Sequence, residues 1–166
     1  MECEATWCEP APGVEVNVLL SRVLGVQLEI DALAAAVVEI LRLEGEAGPL
    51  GLSLVITDDE EVRELNLRFR ESDAPTDVLA FGSGEFSPEE GRYLGDVVIS
   101  YQRALAQAEE AGCSPHEELY RLVIHGVLHL LGYEDEDEAS WTRMWARQEE
   151  ILRALTAKDA RGRIPK

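Results

Sequence analysis

The 166-residue chain is short of cysteine, of histidine, of positive charge and of long apolar runs. Each shortage excludes something. Three cysteines (Cys3, Cys8, Cys113) cannot make a disulfide framework, and none stands in a Cys-x-x-Cys pair, which argues against a cysteine-based zinc site. The longest apolar stretch, Ala32 to Leu41, is interrupted by Glu39, far short of the ~18 residues a membrane helix needs. The chain opens Met1-Glu2-Cys3-Glu4, acidic where a signal peptide is basic, and no apolar core follows. A cytoplasmic protein without a membrane partner is the expectation. Fifteen basic residues face 33 acidic ones, a net charge of -18. A protein that coats nucleic acid through its phosphates is basic, so no DNA partner is expected. The charge fits either plain solubility or a basic partner such as ribosomal protein. Residues 153–166 reverse the sign, with five bases and one acid. That tail is either a solvated end or a contact for rRNA phosphates.

What is present is enough for one domain. The chain is 46% apolar, and at this length folding buries roughly 70% of the unfolded surface. Residues 1–13 have little pattern and read as a loosely ordered extension. Alternation over 14–20 predicts a strand. Apolar spacing predicts a helix over 31–44, then a strand over 50–57 and a helix over 58–69 with Val62, Leu65 and Phe69 inward. Thr57 and Glu60 fit a capping box. A short strand over 77–81, a Gly/Ser/Pro/Glu loop over 82–91 and a strand over 93–100 follow. Helices are predicted over 101–111, 115–131 (Ser114 at the N-cap, Pro115 at N1) and 137–155. The order β-α-β-α-β-β-α-α-α implies a single α/β (α+β) domain over 14–155, with a small mixed sheet of about four strands and about five helices. A basic C-terminal tail over 156–166 completes the chain.

The chemistry gathers on the penultimate helix. His125 and His129 are four residues apart, about 40° round a helix, so two imidazoles can share one metal ion. His116 lies about 180° away and faces elsewhere. Gly132 ends the helix and frees the chain to turn back, so Asp135 can supply a third ligand. Three protein ligands and an open position make a catalytic zinc site, because the open position holds the water to be activated. A bare His-x-x-x-His pair is weak by itself. Here Val123, Ile124, Val127, Leu128, Leu130 and Leu131 surround it, and imidazoles in so apolar a helix need polar partners. Gly126 stands where a His-Glu-x-x-His protease keeps its general base, which argues against that mechanism.

His125-Gly-Val-Leu-His-Leu-Leu-Gly-Tyr133 resembles the His-Gly-x-Leu-His-Leu-x-Gly-Tyr-Asp-His signature of the YbeY family of bacterial endoribonucleases, or rRNA maturation factors. Glu64-Leu-Asn-Leu-Arg-Phe-Arg70 with Asp73-Ala-Pro-Thr-Asp-Val-Leu-Ala-Phe81 resembles that family's Leu-Asn-x-x-Tyr-Arg-x-x-Asp-x-Pro-Thr-Asp-Val-Leu-Ser-Phe block. Leu94-Gly-Asp-Val-Val-Ile-Ser100 is similar to its Leu-Gly-Asp-Ile-x-Ile-Ser strand. The resemblance implies one zinc per chain and single-strand-specific RNA cleavage in ribosome maturation and quality control, notably at the small-subunit rRNA 3′ end. It implies small-subunit ribosomal proteins and assembly factors as partners. His125 and His129 fall on the first two zinc ligands, and Arg70 on an arginine of the active-site cleft. The family's third ligand is a histidine. This chain has Asp135 there, with Glu134 and Asp137 as alternatives. A carboxylate oxygen binds zinc at nearly an imidazole's distance but adds negative charge, which weakens the ion as a Lewis acid.

Other residues have plainer readings. Asp73 and Asp77 flank Pro75-Thr76 and suit turn chemistry. Asp96 either lines the cleft or simply opens a strand. Trp141 and Trp145, four apart on the last helix, are expected in the core. The rival functions are a non-catalytic assembly factor with a structural metal and, less well supported, a metalloprotease.

Overall fold

The computed structural model describes residues 3–11, 13–72, 76–88 and 91–162. Its sheet is mixed, in the order β1-β2-β3-β5-β4. The strands are β1 (Cys3–Ala11), β2 (Val14–Ser21), β3 (Leu50–Thr57), β4 (Val78–Ser87) and β5 (Gly91–Ser100). The helices are α1 (Ile30–Leu43), α2 (Asp59–Arg70), α3 (Tyr101–Ala111), α4 (Pro115–Leu130) and α5 (Glu138–Gly162), with a 3-10 turn at Arg22–Leu24. β2, β3 and β5 are parallel, and β1 and β4 close the edges antiparallel. Pairing sets Val16 beside Leu52, Val18 beside Leu54, and Leu54 beside Val97. With period-two alternation those side chains share one face, where α1 and α4 bury them. Val98 and Leu79 point the other way and are covered by Val62 of α2.

The structure corrects four expectations. The stretch expected to be loosely ordered supplies β1, paired to β2 from Cys3 opposite Ser21 to Ala11 opposite Val14. The left-handed turn at Gly13 (φ 77) lets the chain reverse onto the free edge of β2. Within the loop expected over 82–91, Gly91 instead opens β5, and residues 82–87 are the end of β4. Its glycines serve a bulge between Gly82 and Glu85. Gly95 opposite has φ 137, and a Cβ there would lie 2.0 Å from the Phe81 carbonyl oxygen. The last helix does not end near 155: α5 runs on to Gly162. Lys158 within it bonds Glu39 of α1 at 3.2 Å, and Arg42 bonds the same carboxylate. The hydrogen bond from Arg42, aided by Lys158, outweighs burial and holds the Glu39 carboxyl down at about 2. Finally, Phe69 is 61% exposed and meets Phe81 edge-to-face at 5.5 Å, while Asn66 takes the buried position on α2. The N-cap of α2 is Asp58, which accepts from the Glu61 amide at 2.8 Å.

Gly126 sets how closely α4 meets the sheet. A Cβ there would lie 2.4 Å from Val97 Cγ1 of β5. Glycine inside a helix costs about 1 kcal/mol against alanine, so this position gives up helix propensity for close approach. Gly126→Ala is expected to destabilise the fold by about 1–3 kcal/mol, the usual range for overpacking, despite alanine's helix preference. Thermal or urea unfolding measures it. A variant as stable as the parent would show that α4 can move off β5 freely.

Candidate metal centre

α4 begins where the sequence places its start: Ser114 Oγ accepts from the Glu117 amide at 3.1 Å, and Pro115 occupies the first turn. One turn apart near its C-terminal end, His125 and His129 point their Nε2 atoms together, 3.1 Å apart. The opposite nitrogens are held by oxygens. His125 Nδ1 meets Gln148 Oε1 of α5 at 2.9 Å, and His129 Nδ1 meets the Tyr133 carbonyl at 3.0 Å. The Tyr133 carbonyl can only accept, so His129 Nδ1 carries that ring's proton; with the Gln148 amide oxygen turned to His125 Nδ1, both Nε2 atoms present lone pairs. Two facing lone pairs repel unless a cation lies between them.

The turn after α4 delivers the third group. Gly132 (φ 100) reverses the chain, and the Tyr133 amide bonds back to the Leu128 carbonyl at 3.0 Å. Asp135 Oδ2 then sits 3.4 Å from His129 Nε2 and 3.8 Å from His125 Nε2. Tetrahedral ligands about 2.0–2.1 Å from one zinc ion lie roughly 3.3 Å from each other. The triangle of 3.1, 3.4 and 3.8 Å fits that spacing. The alternatives are placed elsewhere. Asp137 Oδ1 accepts from the Ser140 amide at 2.7 Å and caps α5, which lowers its pKa. Glu134 is exposed. Among the described residues, His125, His129 and Asp135 form the one cluster suited to a metal. Burial, aided by repulsion from His129, pushes His125 below the ordinary histidine pKa although Gln148 opposes it. The neutral, ligating form is therefore favoured near neutral pH.

The cluster opens into a cleft of about 530 Å³, with Arg70, Asn66 and Asp77 on its walls. Arg70, the last residue of α2, donates from Nη2 to the Ala80 carbonyl at 2.6 Å and lies over the Phe81 ring at 5.5 Å. Asp77 bonds the Val78 amide at 2.8 Å and Gln107 at 3.1 Å. Asp73 and Pro75 lie outside the described residues. Asp96 is not on the cleft wall: it accepts from the Tyr93 hydroxyl, which also bonds Ser53. That burial and the Asp96 bond push Tyr93 up to about 12. His116 faces away and meets Asp159 at 3.4 Å.

Two further residues depart from the sequence reading. Trp141 and Trp145 are 50% and 45% exposed, not core, and stack on each other with centroids 5.6 Å apart and planes 6° from parallel. Gln148 went unnoticed in the sequence. Its signal was a polar residue within the buried stripe Met144, Ile151, Leu152 and Leu155.

The architecture and this open His-His-Asp cleft define an α/β protein with a candidate metal centre. A family model described as Endoribonuclease YbeY matches residues 22–156. The chain belongs to that family. It is 50% identical over 129 residues to an endoribonuclease YbeY of Roseiflexus castenholzii, covering 72% of this chain and 79% of that protein. It is 44% identical over 138 residues to one of Chloroflexus aurantiacus, covering 79% and 90%. The solution structure of TM1509 from Thermotoga maritima shares the fold, with a TM-score of 0.58 and 24% identity over 89% of this chain and 93% of that one.

Asp135→Ala is expected to weaken zinc binding, and Asp135→His to preserve or strengthen it. Competition with a zinc chelator reads both. If Asp135→Ala holds zinc as tightly as the parent, Asp135 is not a ligand.

Proposed function

We propose that this chain is a zinc-dependent, single-strand-specific endoribonuclease. On this reading it acts in small-subunit rRNA 3′-end maturation and in ribosome quality control. The observation that carries the reading is the pair of facing Nε2 atoms, 3.1 Å apart, with Asp135 beside them in an open cleft. His125, His129 and Asp135 would hold one zinc ion. Zinc in an open three-ligand site supplies Lewis-acid chemistry, activating water and polarising a phosphate oxygen, tempered here by the charge of Asp135.

The chain's own groups do the rest. Gln148 and the Tyr133 carbonyl fix the imidazole tautomers, so no proton has to leave Nε2 before a ligand binds. Arg70 is steadied by the Ala80 carbonyl and the Phe81 ring, and its remaining N–H groups can meet a phosphate through a planar fork. Placed across the cleft, that fork stabilises the charge that builds during phosphodiester cleavage. The body's net charge of -18 opposes random RNA binding. It suits a substrate delivered on a ribosomal particle, with small-subunit ribosomal proteins and assembly factors as basic partners. The cytoplasm is the proposed setting, and no helix among the described residues is long and apolar enough to cross a membrane.

Particular contacts weigh against the rivals. A structural zinc site is closed by four protein ligands, and Asp137, the group nearest to closing this one in sequence, caps α5 instead. A protease base in place of Gly126 would collide with Val97.

Arg70→Glu is expected to lower cleavage of single-stranded RNA by ~100-fold or more, the usual loss on removing one such donor. Melting temperature and bound zinc should change little, because Arg70 is exposed. Arg68 lies over Phe69 outside the cleft, and Arg68→Glu is the control that keeps activity. Wild-type rates for Arg70→Glu would remove Arg70 from the mechanism. Equal losses in both variants would point to general electrostatics.

A further inference from the structure

Behind His125 lies a second cavity, of about 440 Å³. Trp141, Trp145 and Gln148 line it, and His125 and Asp77 border both this space and the metal cleft. Trp141, Trp145 and Gln148 are spaced four and three residues apart, so they share one face of α5. Because His125 and Asp77 line both spaces, the tryptophan face adjoins the metal cleft. Arg121 beneath it is already neutralised by Glu118 at 2.6 Å and Glu149 at 3.2 Å. The cavity therefore offers aromatic faces on a wall where Asp77, Glu118 and Glu149 outnumber Arg121, which suits an uncharged base and repels a phosphate.

We propose that the stacked Trp141–Trp145 pair is a base-stacking platform for the single-stranded RNA flanking the cleavage site. The inference rests on the endoribonuclease reading and adds the subsite that grips the strand. Stacking needs no charge and tolerates any base. It gives an acidic protein a hold on a polyanion beyond the phosphate contact that Arg70 offers. It also accounts for two large aromatic side chains left half in water on a helix that buries Met144, Ile151, Leu152 and Leu155.

The test uses the full chain in two states. The zinc-loaded protein is assayed for cleavage of a short single-stranded RNA. The chelator-treated protein is titrated with the same RNA, and with an analogue carrying abasic ribose in place of the bases, by fluorescence anisotropy. Trp141→Leu/Trp145→Leu keeps apolar bulk and removes the planar faces, and Trp141→Phe/Trp145→Phe keeps a ring at each site. The expected result is about 10-fold or more weaker binding for the Leu pair, near-parental binding for the Phe pair, and a deficit that persists at high salt. The parent should also lose affinity for the abasic analogue. If the parent cleaves RNA and the Leu pair binds and cleaves it equally well, the platform proposal fails alone. If the Leu pair keeps RNA binding but loses binding to ribosomal protein, the face docks protein and the proposal is overturned. If the zinc-loaded parent does not cleave RNA at all, the endoribonuclease reading fails first and takes the platform with it.

Discussion

Two imidazole nitrogens with their lone pairs turned toward each other are the constraint around which this molecule is arranged. Neutral Nε2 atoms 3.1 Å apart repel, and only a shared cation or an added proton makes the approach favourable. Burial works against an added proton on His125, and the three groups together are suited to a metal ion. The surrounding fold keeps the repelling pair in place. Gln148 of α5 and the carbonyl after the Gly132 turn grip the outer nitrogens, and Gly126 lets α4 lie against Val97 of β5. The histidine pair is therefore positioned by one local turn and by two elements distant in sequence, α5 and β5.

Asp135 has a double effect in that setting. It completes a triangle of the right size for tetrahedral coordination, and its charge would offset part of a bound ion's. Arg70 on the wall of the same cleft, anchored on the Ala80 carbonyl, would restore positive potential for an entering phosphate. The pairing of an anionic ligand with a nearby guanidinium makes sense in a protein whose net charge is -18, because general electrostatic attraction for RNA is absent.

Much of this was legible in the sequence, where local signals decide the outcome. β3 spans Leu50–Thr57 as its apolar run implies, and α4 starts at the Ser114-Pro115 signal. The His125, His129, Gly132 and Asp135 spacing contains the turn that joins the three groups. What escaped was decided by pairing across the fold. β1 is an edge strand whose register depends on β2. The glycines of β4 read as a loop because a bulge uses the same residues. Trp141 and Trp145 sit at helical spacing, which does not say whether that face meets the core or the solvent. The role of Gln148 depends on α5 lying across α4, which no local pattern encodes.

X-ray absorption at the zinc edge, on the zinc-loaded full chain, tests the central claim most directly. The account predicts only nitrogen and oxygen donors at about 2.0–2.2 Å, with outer-shell scattering from two imidazoles. A sulfur shell near 2.3 Å, from any of the three cysteines, or scattering from a third imidazole would contradict it.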